Sequence, residues 1–134
     1  MFEGLHHAQL AMPRDQEETA RTCYAGGFGM TEVDEPPVLA ARGGAWFRAG
    51  GLELHLGVED GFGPAREAHP GIQVGDLDEV VRRLAAAGPQ VAWDADSPGY
   101  RRVYAQDPDE LRLEFRQPGR ARGGGGPWRG SCCR

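Results

Sequence analysis

At 134 residues, with 40% hydrophobic and 8% aromatic content, the chain has the length of one domain and can bury a core without disulfides. Its net charge of −5 understates the acidity of its body, because Pro118 to Arg134 holds four arginines and no acid, leaving 11 arginines against 20 acids in the rest. A body that acidic repels phosphate backbones and excludes a nucleic-acid partner; the lack of any lysine removes Schiff-base chemistry; and Ser97 and Ser131 stand in no nucleophile-elbow context.

The sequence predicts a first strand over Leu5 to Met12, with Ala8, Leu10 and Met12 on one face and His7 and Gln9 on the other. Pro13 ends it. Asp15 is then expected as a helix N-cap, with Glu17 and Glu18 in the first turn and Gly26 and Gly27 as the stop near Ala25. MTEVDEPP predicts a short strand broken by Pro36 and Pro37, followed by a loop to Arg42. AWFRAG and Leu52 to Val58 (LELHLGV) follow as a hairpin. In LELHLGV, Leu52, Leu54 and Leu56 share one face, and Glu53 and His55 share the other.

Glu59 to Ala68, rich in Gly, Pro and charge, reads as a linker, after which the pattern starts again. HPGIQVGD sets Ile72 and Val74 against His69 and Gln73. Asp76 opens an amphipathic helix that Gly88 closes, its apolar stripe formed by Leu77, Val80, Val81, Leu84 and Ala87. QVAWDAD, RRVYAQ and LRLEFRQ supply three more strands; in the last, Leu111, Leu113 and Phe115 alternate with Arg112, Glu114 and Arg116. His7 and His69 are 62 positions apart, Asp15 and Asp76 61, Gly26 and Gly88 62, and Glu53 and Glu114 61. Four landmarks at one offset point to a duplicated strand–helix–three-strand unit. The expected modules are 1–58 and 68–117, joined by 59–67 and followed by a Gly/Arg-rich tail at 118–134, expected to be mobile.

This pattern predicts an α+β fold of two tandem βαβββ modules, with curved mixed sheets around a cleft and helices on the outer faces. The polar faces then carry His7 and Glu53 from one module and His69 and Glu114 from the other. Two imidazoles and two carboxylates form a mixed donor set for a divalent ion such as Zn, Ni, Co, Fe or Mn, with positions left over for substrate. His55 shares the face of Glu53 and is its alternative as ligand; His6, on the opposite face from His7, is expected to be structural. Trp46, Phe62, Trp93, Tyr100 and Tyr104 are candidates to line a substrate pocket, with core and rim packing as their plainer role.

HHAQLAM, LELHLG, HPGIQV, DPDELRLEF and the helix opened by Asp76 resemble the vicinal oxygen chelate superfamily, which includes glyoxalase I, bleomycin-resistance proteins, extradiol dioxygenases and fosfomycin-resistance enzymes. The resemblance covers about Leu5 to Gln117. It implies the ligand order His7, Glu53, His69, Glu114, with Glu53 or Glu114 acting as a metal-held general base on a carbon beside a carbonyl. It also implies a homodimer. The turn DPDEL departs from the usual Asp-Pro-x-Gly-Asn form by lacking the glycine, and TCYAGGFGM departs from the usual end of the first helix.

The leading expectation is a metal-dependent enzyme of lyase or isomerase type acting on a small oxygen-rich substrate. With Glu53 outside the ligand set, His7, His69 and Glu114 form a two-His, one-carboxylate site that resembles the dioxygenase and fosfomycin-enzyme arrangements. The alternative is a metal-free protein that sequesters an antibiotic in the same cleft, as bleomycin-resistance proteins do. No apolar run approaches the roughly 20 residues that span a bilayer, and MFEGLHHAQL shows no secretory pattern, so no membrane contact and a cytoplasmic location are expected. Cys23 is expected to be a small buried residue, and Cys132 and Cys133 incidental parts of the tail.

Overall fold

Strand alternation turns two sets of apolar side chains inward, and the chain buries both sets together. In the first half, β1 (Ala8–Met12) runs parallel to β4 (Leu52–Val58), β3 (Gly44–Ala49) pairs antiparallel with β4, and β2 (Thr31–Val33) forms the outer edge, giving the order β1-β4-β3-β2. The second half repeats the scheme with β5 (Gly71–Gln73), β6 (Val91–Asp94), β7 (Tyr100–Gln106) and β8 (Arg112–Pro118) in the order β5-β8-β7-β6, and β5 again lies parallel to β8. The protein thus consists of two mixed four-stranded sheets of the βαβββ kind, neither of them closed. The structure is a computed structural model and describes residues 1–88 and 90–119; Trp128, Cys132, Cys133 and the arginines of the expected tail lie outside them. No helix among the described residues is long and apolar enough to cross a membrane.

One core serves both sheets. Met12, Phe47, Leu54 and Leu56 from the first join Val103, Leu113 and Phe115 from the second, all nearly inaccessible to water. Helix α3 (Leu77–Ala87) forms as the sequence predicts: the Asp76 carboxylate accepts from the Glu79 amide at 3.0 Å, Gly88 closes the helix in a left-handed conformation (φ 96°), and Leu77 and Leu84 are buried.

The first helix differs from its expectation. Asp15 adopts a left-handed backbone (φ 63°) instead of capping, and α1 (Glu17–Ala20) starts behind Gln16, whose side chain accepts from the Thr19 hydroxyl. The Glu17 carboxylate is drawn away to the Gly44 amide. Beyond Ala20 the backbone widens into π-helical turns over Arg21–Gly27. The weak helix formers Thr22, Cys23 and Gly26 offer little resistance to this widening. Tyr24 then stacks on Phe47 at 5.3 Å and Phe28 reaches Phe115 at 5.3 Å, so this irregular helix bridges the modules. A second difference is α2 (Pro37–Ala40), a single turn where a loop is expected; Pro37 occupies its first turn, where a missing N–H costs nothing.

A buried polar contact also ties the halves together. The Tyr24 hydroxyl donates to Asp107 Oδ2 at 2.9 Å, while Asp107 Oδ1 accepts from the amides of Asp109 and Leu111. Burial raises the Asp107 carboxyl pKa against the pull of these donors, and burial followed by the nearby Asp107 charge pushes the Tyr24 phenol well up. Burial likewise pushes the Cys23 thiol up to about 12, so it stays protonated and inert at neutral pH.

Asp107 organises the turn into β8, the segment that delivers Glu114. The residue standing where the resemblance expects glycine, Glu110, is left-handed at φ 65°. Its side chain makes that conformation cost about 1–2 kcal/mol, only partly offset by the greater entropy a glycine loses on folding. Glu110→Gly should therefore stabilise the fold by up to about 1 kcal/mol, read as a higher urea midpoint at unchanged slope. A lower midpoint would show that the Glu110 side chain makes a compensating contribution.

Candidate metal and substrate site

The polar face of the first sheet is built on β4. Alternation places Glu53 and His55 opposite to Leu54 and Leu56, and the β3–β4 register sets Trp46 beside His55 and Arg48 beside Glu53. His7, just ahead of β1, lays its ring on His55 at 4.0 Å, and His55 lies flat on Trp46 at 3.8 Å with only 2° between the planes. The His55 imidazole is buried and its Nε2 meets Glu53 Oε1 at 2.8 Å. Arg48 takes the other oxygen, Oε2, through Nε at 3.0 Å and Nη2 at 2.8 Å. His55 first and Arg48 second hold the Glu53 carboxyl at a pKa of about 2. Both oxygens of Glu53 are therefore engaged. The Nδ1 atoms of His6 and His7 lie 2.9 Å apart, at hydrogen-bond distance, and Nε2 of His7 has no hydrogen bond among the described residues.

The second polar face is built on β8 and has a different character. Glu114 is buried, and cross-strand neighbours Gly71 and Tyr104 flank it. His69, just ahead of β5, brings Nε2 to 3.2 Å from Glu114 Oε2. Its Nδ1 lies 2.6 Å from the Glu67 carbonyl, a contact that requires the N–H to be on Nδ1. The other oxygen, Glu114 Oε1, is buried without a hydrogen-bond partner; Arg102 Nη1 and Arg116 Nη1 each stand 3.7 Å from it. His69 and Arg112 border an open groove of about 540 Å³ along the free edge of β1.

Of the four candidate ligands, His69 and Glu114 come together, and His7 and Glu53 both lie against His55. The two pairs do not meet: among the described residues no hydrogen bond, ion pair or ring contact joins them, and no three His, Cys, Asp or Glu side chains are grouped to hold a metal. The shared core accounts for this, because each sheet faces it with apolar residues and leaves its polar face outside.

The candidate pocket residues scatter. Trp46 is covered on one face by His55, Tyr104 meets His69 edge-on at 5.6 Å, and Tyr100 lies under the Arg116 guanidinium at 4.1 Å. Phe62 is half-buried in the connection between the sheets. Trp93 pairs with Val103 and so lies on the opposite face from Glu114, exposed, with Arg101 over its ring. The arginines around Glu114 are not among the residues expected at the site. Arg112 and Arg116 share its parity on β8, and that alternation was their one visible signal.

Comparison with known proteins agrees with this architecture. The model of the glyoxalase/bleomycin resistance protein/dioxygenase superfamily matches residues 4–115. The chain belongs to this superfamily. A glyoxalase family protein from Bacillus anthracis is 39% identical, with TM-score 0.85 over 89% of this chain and 98% of that one. Two further structures share the superfamily fold at lower identity. A glyoxalase/dioxygenase from Nostoc punctiforme is 22% identical, with TM-score 0.69 over 87% of this chain and 91% of that one. The fosfomycin resistance protein FosX from Listeria monocytogenes is 21% identical, with TM-score 0.68 over 90% and 97%. Another structure of FosX, a variant, is in complex with Mn(II) and 1S,2S-dihydroxypropylphosphonic acid. A search of curated proteins finds no match.

The engaged state of Glu53 has a measurable consequence. Its folded pKa of about 2 lies below the ordinary carboxylate value near 4.5, so its pairing stabilises the fold above about pH 4.5 and that contribution is lost as the pH falls toward 2. Glu53→Gln should flatten this part of the acid-unfolding profile; an acid limb identical to that of the parent protein would contradict the pairing.

Proposed function

We propose that this superfamily member is a divalent-metal enzyme acting on a small oxygen-rich substrate, with His69 and Glu114 of one chain and His7 of a second copy as protein ligands. The single observation that carries the reading is the contact between His69 and Glu114. With its proton on Nδ1 and bonded to Glu67, the His69 ring aims a lone pair from Nε2 at a carboxylate that also bears lone pairs. Two acceptors at that separation need a cation between them, and Glu114 Oε1 has a further unused valence. A second proton on the imidazole satisfies the contact in the absence of metal. His69 Nε2 and the Glu114 carboxylate would hold a divalent ion, and the unpartnered Glu114 Oε1 is free to serve as a further donor.

The donor chemistry fits such an ion: imidazole and carboxylate suit Mn, Fe, Co, Ni and Zn, and the Glu67 carbonyl orients the ligand histidine in the way a metal centre requires. A bound ion would supply Lewis acidity to a substrate oxygen. The chain's own residues do the rest. Glu67 holds the His69 tautomer, Tyr104 packs against its ring, and Glu114 is held in a dry position on β8. Glu53, with both oxygens committed to His55 and Arg48, is poorly placed to act as ligand, and a carboxyl ionised so far below neutral pH is a weak general base, which favours a two-His, one-carboxylate centre over the four-ligand one. Among the described residues no third donor joins His69 and Glu114, and with His7 presented on an outward face this favours completion by a second copy.

Metal-free sequestration of an antibiotic, the alternative, would need an open stacking surface. Trp46 is capped by His55, Tyr100 by Arg116, and Trp93 lies on the other side of its sheet.

Metal analysis of protein purified without chelator tests the proposal. Stoichiometric divalent metal is expected in the parent protein and in Glu53→Gln, with loss in His69→Ala, Glu114→Gln and His7→Ala. Mixing His7→Ala with Glu114→Ala subunits should restore part of the metal, because each mixed pair regains one complete site. Full occupancy in Glu114→Gln, or no recovery in mixed pairs shown to form, would overturn the ligand assignment.

A further inference from the structure

A cavity of about 160 Å³ lies between the modules on the inner side of the two sheets, and no step of the proposed metal chemistry uses it. Phe28 borders it just beyond the π-helical turns, Leu54 from β4, Ile72 from β5, Val80 from α3, and Leu113 and Phe115 from β8. Strand parity puts it behind the polar face, because Leu113 and Phe115 flank Glu114 along β8 and turn the other way. Ala49, at the end of β3, also lines the cavity and is exposed, so the space opens to solvent.

Its chemistry is uniform. No acid, arginine or histidine lines it. The Tyr24 hydroxyl at its wall already donates to Asp107, and Gln73, paired with Arg116, belongs by parity to the polar face. The side chains of the wall therefore offer an occupant neither charge nor hydrogen bond. An apolar cavity of about 150 Å³ stays dry and takes up benzene or xenon, and this one is of that size and kind. Three rings stand around it: Phe28 lies 5.8 Å from Tyr24 and 5.3 Å from Phe115, tilted to both. Rings tilted at such separations offer edges and faces to a further ring.

The backbone gives a second, independent sign. Arg21–Gly27 leaves α geometry for π turns, a departure that clusters at functional sites, and this segment carries Tyr24 on the cavity wall. Phe28, Ile72 and Val80 pack against the core yet stay half-buried, because they face space that no side chain fills. Apolar walls around such a space forfeit their dispersion contacts, and an apolar occupant restores them.

We propose that the cavity between the modules is a binding site for a small uncharged aromatic compound of benzene or toluene size. The volume admits one ring. It does not admit a peptide backbone, whose N–H and C=O groups would be buried there without partners. A charged compound would lose its hydration with nothing to replace it. The site lies across the sheet from Glu114, so the inference stands independently of the metal reading.

Toluene titrated into the full chain, with methyl groups followed by NMR, tests it. Saturable shifts are expected at Leu54, Ile72, Val80 and Leu113, and benzoate and benzylamine should bind more weakly by about tenfold or more. Val80→Phe and Val74→Phe each put a ring into the cavity and should weaken toluene binding by about tenfold or more while keeping the parent's circular dichroism. The shift map of the parent decides even where a variant does not fold. Shifts that fail to saturate or that scatter over the surface overturn the proposal, as do benzoate bound as tightly as toluene and undiminished binding in a folded variant. If the parent binds no toluene but Phe2→Ser/Leu5→Ser does, the exposed N-terminal arm fills the cavity and the proposal falls. Toluene affinity that is lost as protein concentration rises assigns the cavity to a second copy and overturns it equally.

Discussion

The burial of two apolar sheet faces in one core is the constraint on which the rest of this protein depends. Leu54 and Leu56 on one sheet, Leu113 and Phe115 on the other, and Tyr24 between them belong to a single dry cluster, with the half-buried Phe28 packed against it. A strand has two faces, so committing one to this core commits the other to the outside. Alternation of this kind decides where every candidate functional side chain lies. It also explains why Tyr24 and Asp107 matter beyond their own bond. A hydrogen bond from a hydroxyl to a buried carboxylate is worth about 1.5–3 kcal/mol, and this one joins the irregular helix of the first module to the turn that launches β8 in the second.

Outward polar faces have a chemical consequence. Each carries half of a donor set, and the halves differ in state. On the first, the groups satisfy one another: His7 stacks on His55, His55 bonds Glu53, and Arg48 closes the chain of contacts. On the second, satisfaction is incomplete. A carboxylate oxygen and a guanidinium nitrogen are buried without partners, and an imidazole lone pair faces a carboxylate. Native structures leave few such groups unpaired, and those left unpaired usually have a ligand or a functional role. The second face is therefore where binding is proposed, and the half-buried His7 is the donor the first face can lend to a second copy.

Much of this was legible in the sequence. The repeated offset from His7 to His69 and from Glu53 to Glu114 marked the duplication, and the two sheets have the same strand order. The Asp76 to Gly88 helix was legible to its caps because capping is local chemistry. The first helix was not, because its widened turns answer to Tyr24 and Phe28 reaching for Phe47 and Phe115, contacts that no local window contains. Parity placed Glu53 and Glu114 on the polar faces but gave no sign that Arg48 and His55 would occupy one of them and leave the other partly unpaired. That difference arises from cross-strand register, which pairs Glu53 with Arg48 and Glu114 with Gly71 and Tyr104. Cross-strand register likewise sets Trp93 beside Val103, on the face opposite Glu114.

The most direct test of the central claim looks at the ligands themselves. Pulsed electron paramagnetic resonance of the full chain loaded with Mn(II), its histidines labelled with nitrogen-15, reads the imidazole nitrogens bound to the ion. The account predicts couplings from two histidines. Coupling from one histidine or from none would contradict it.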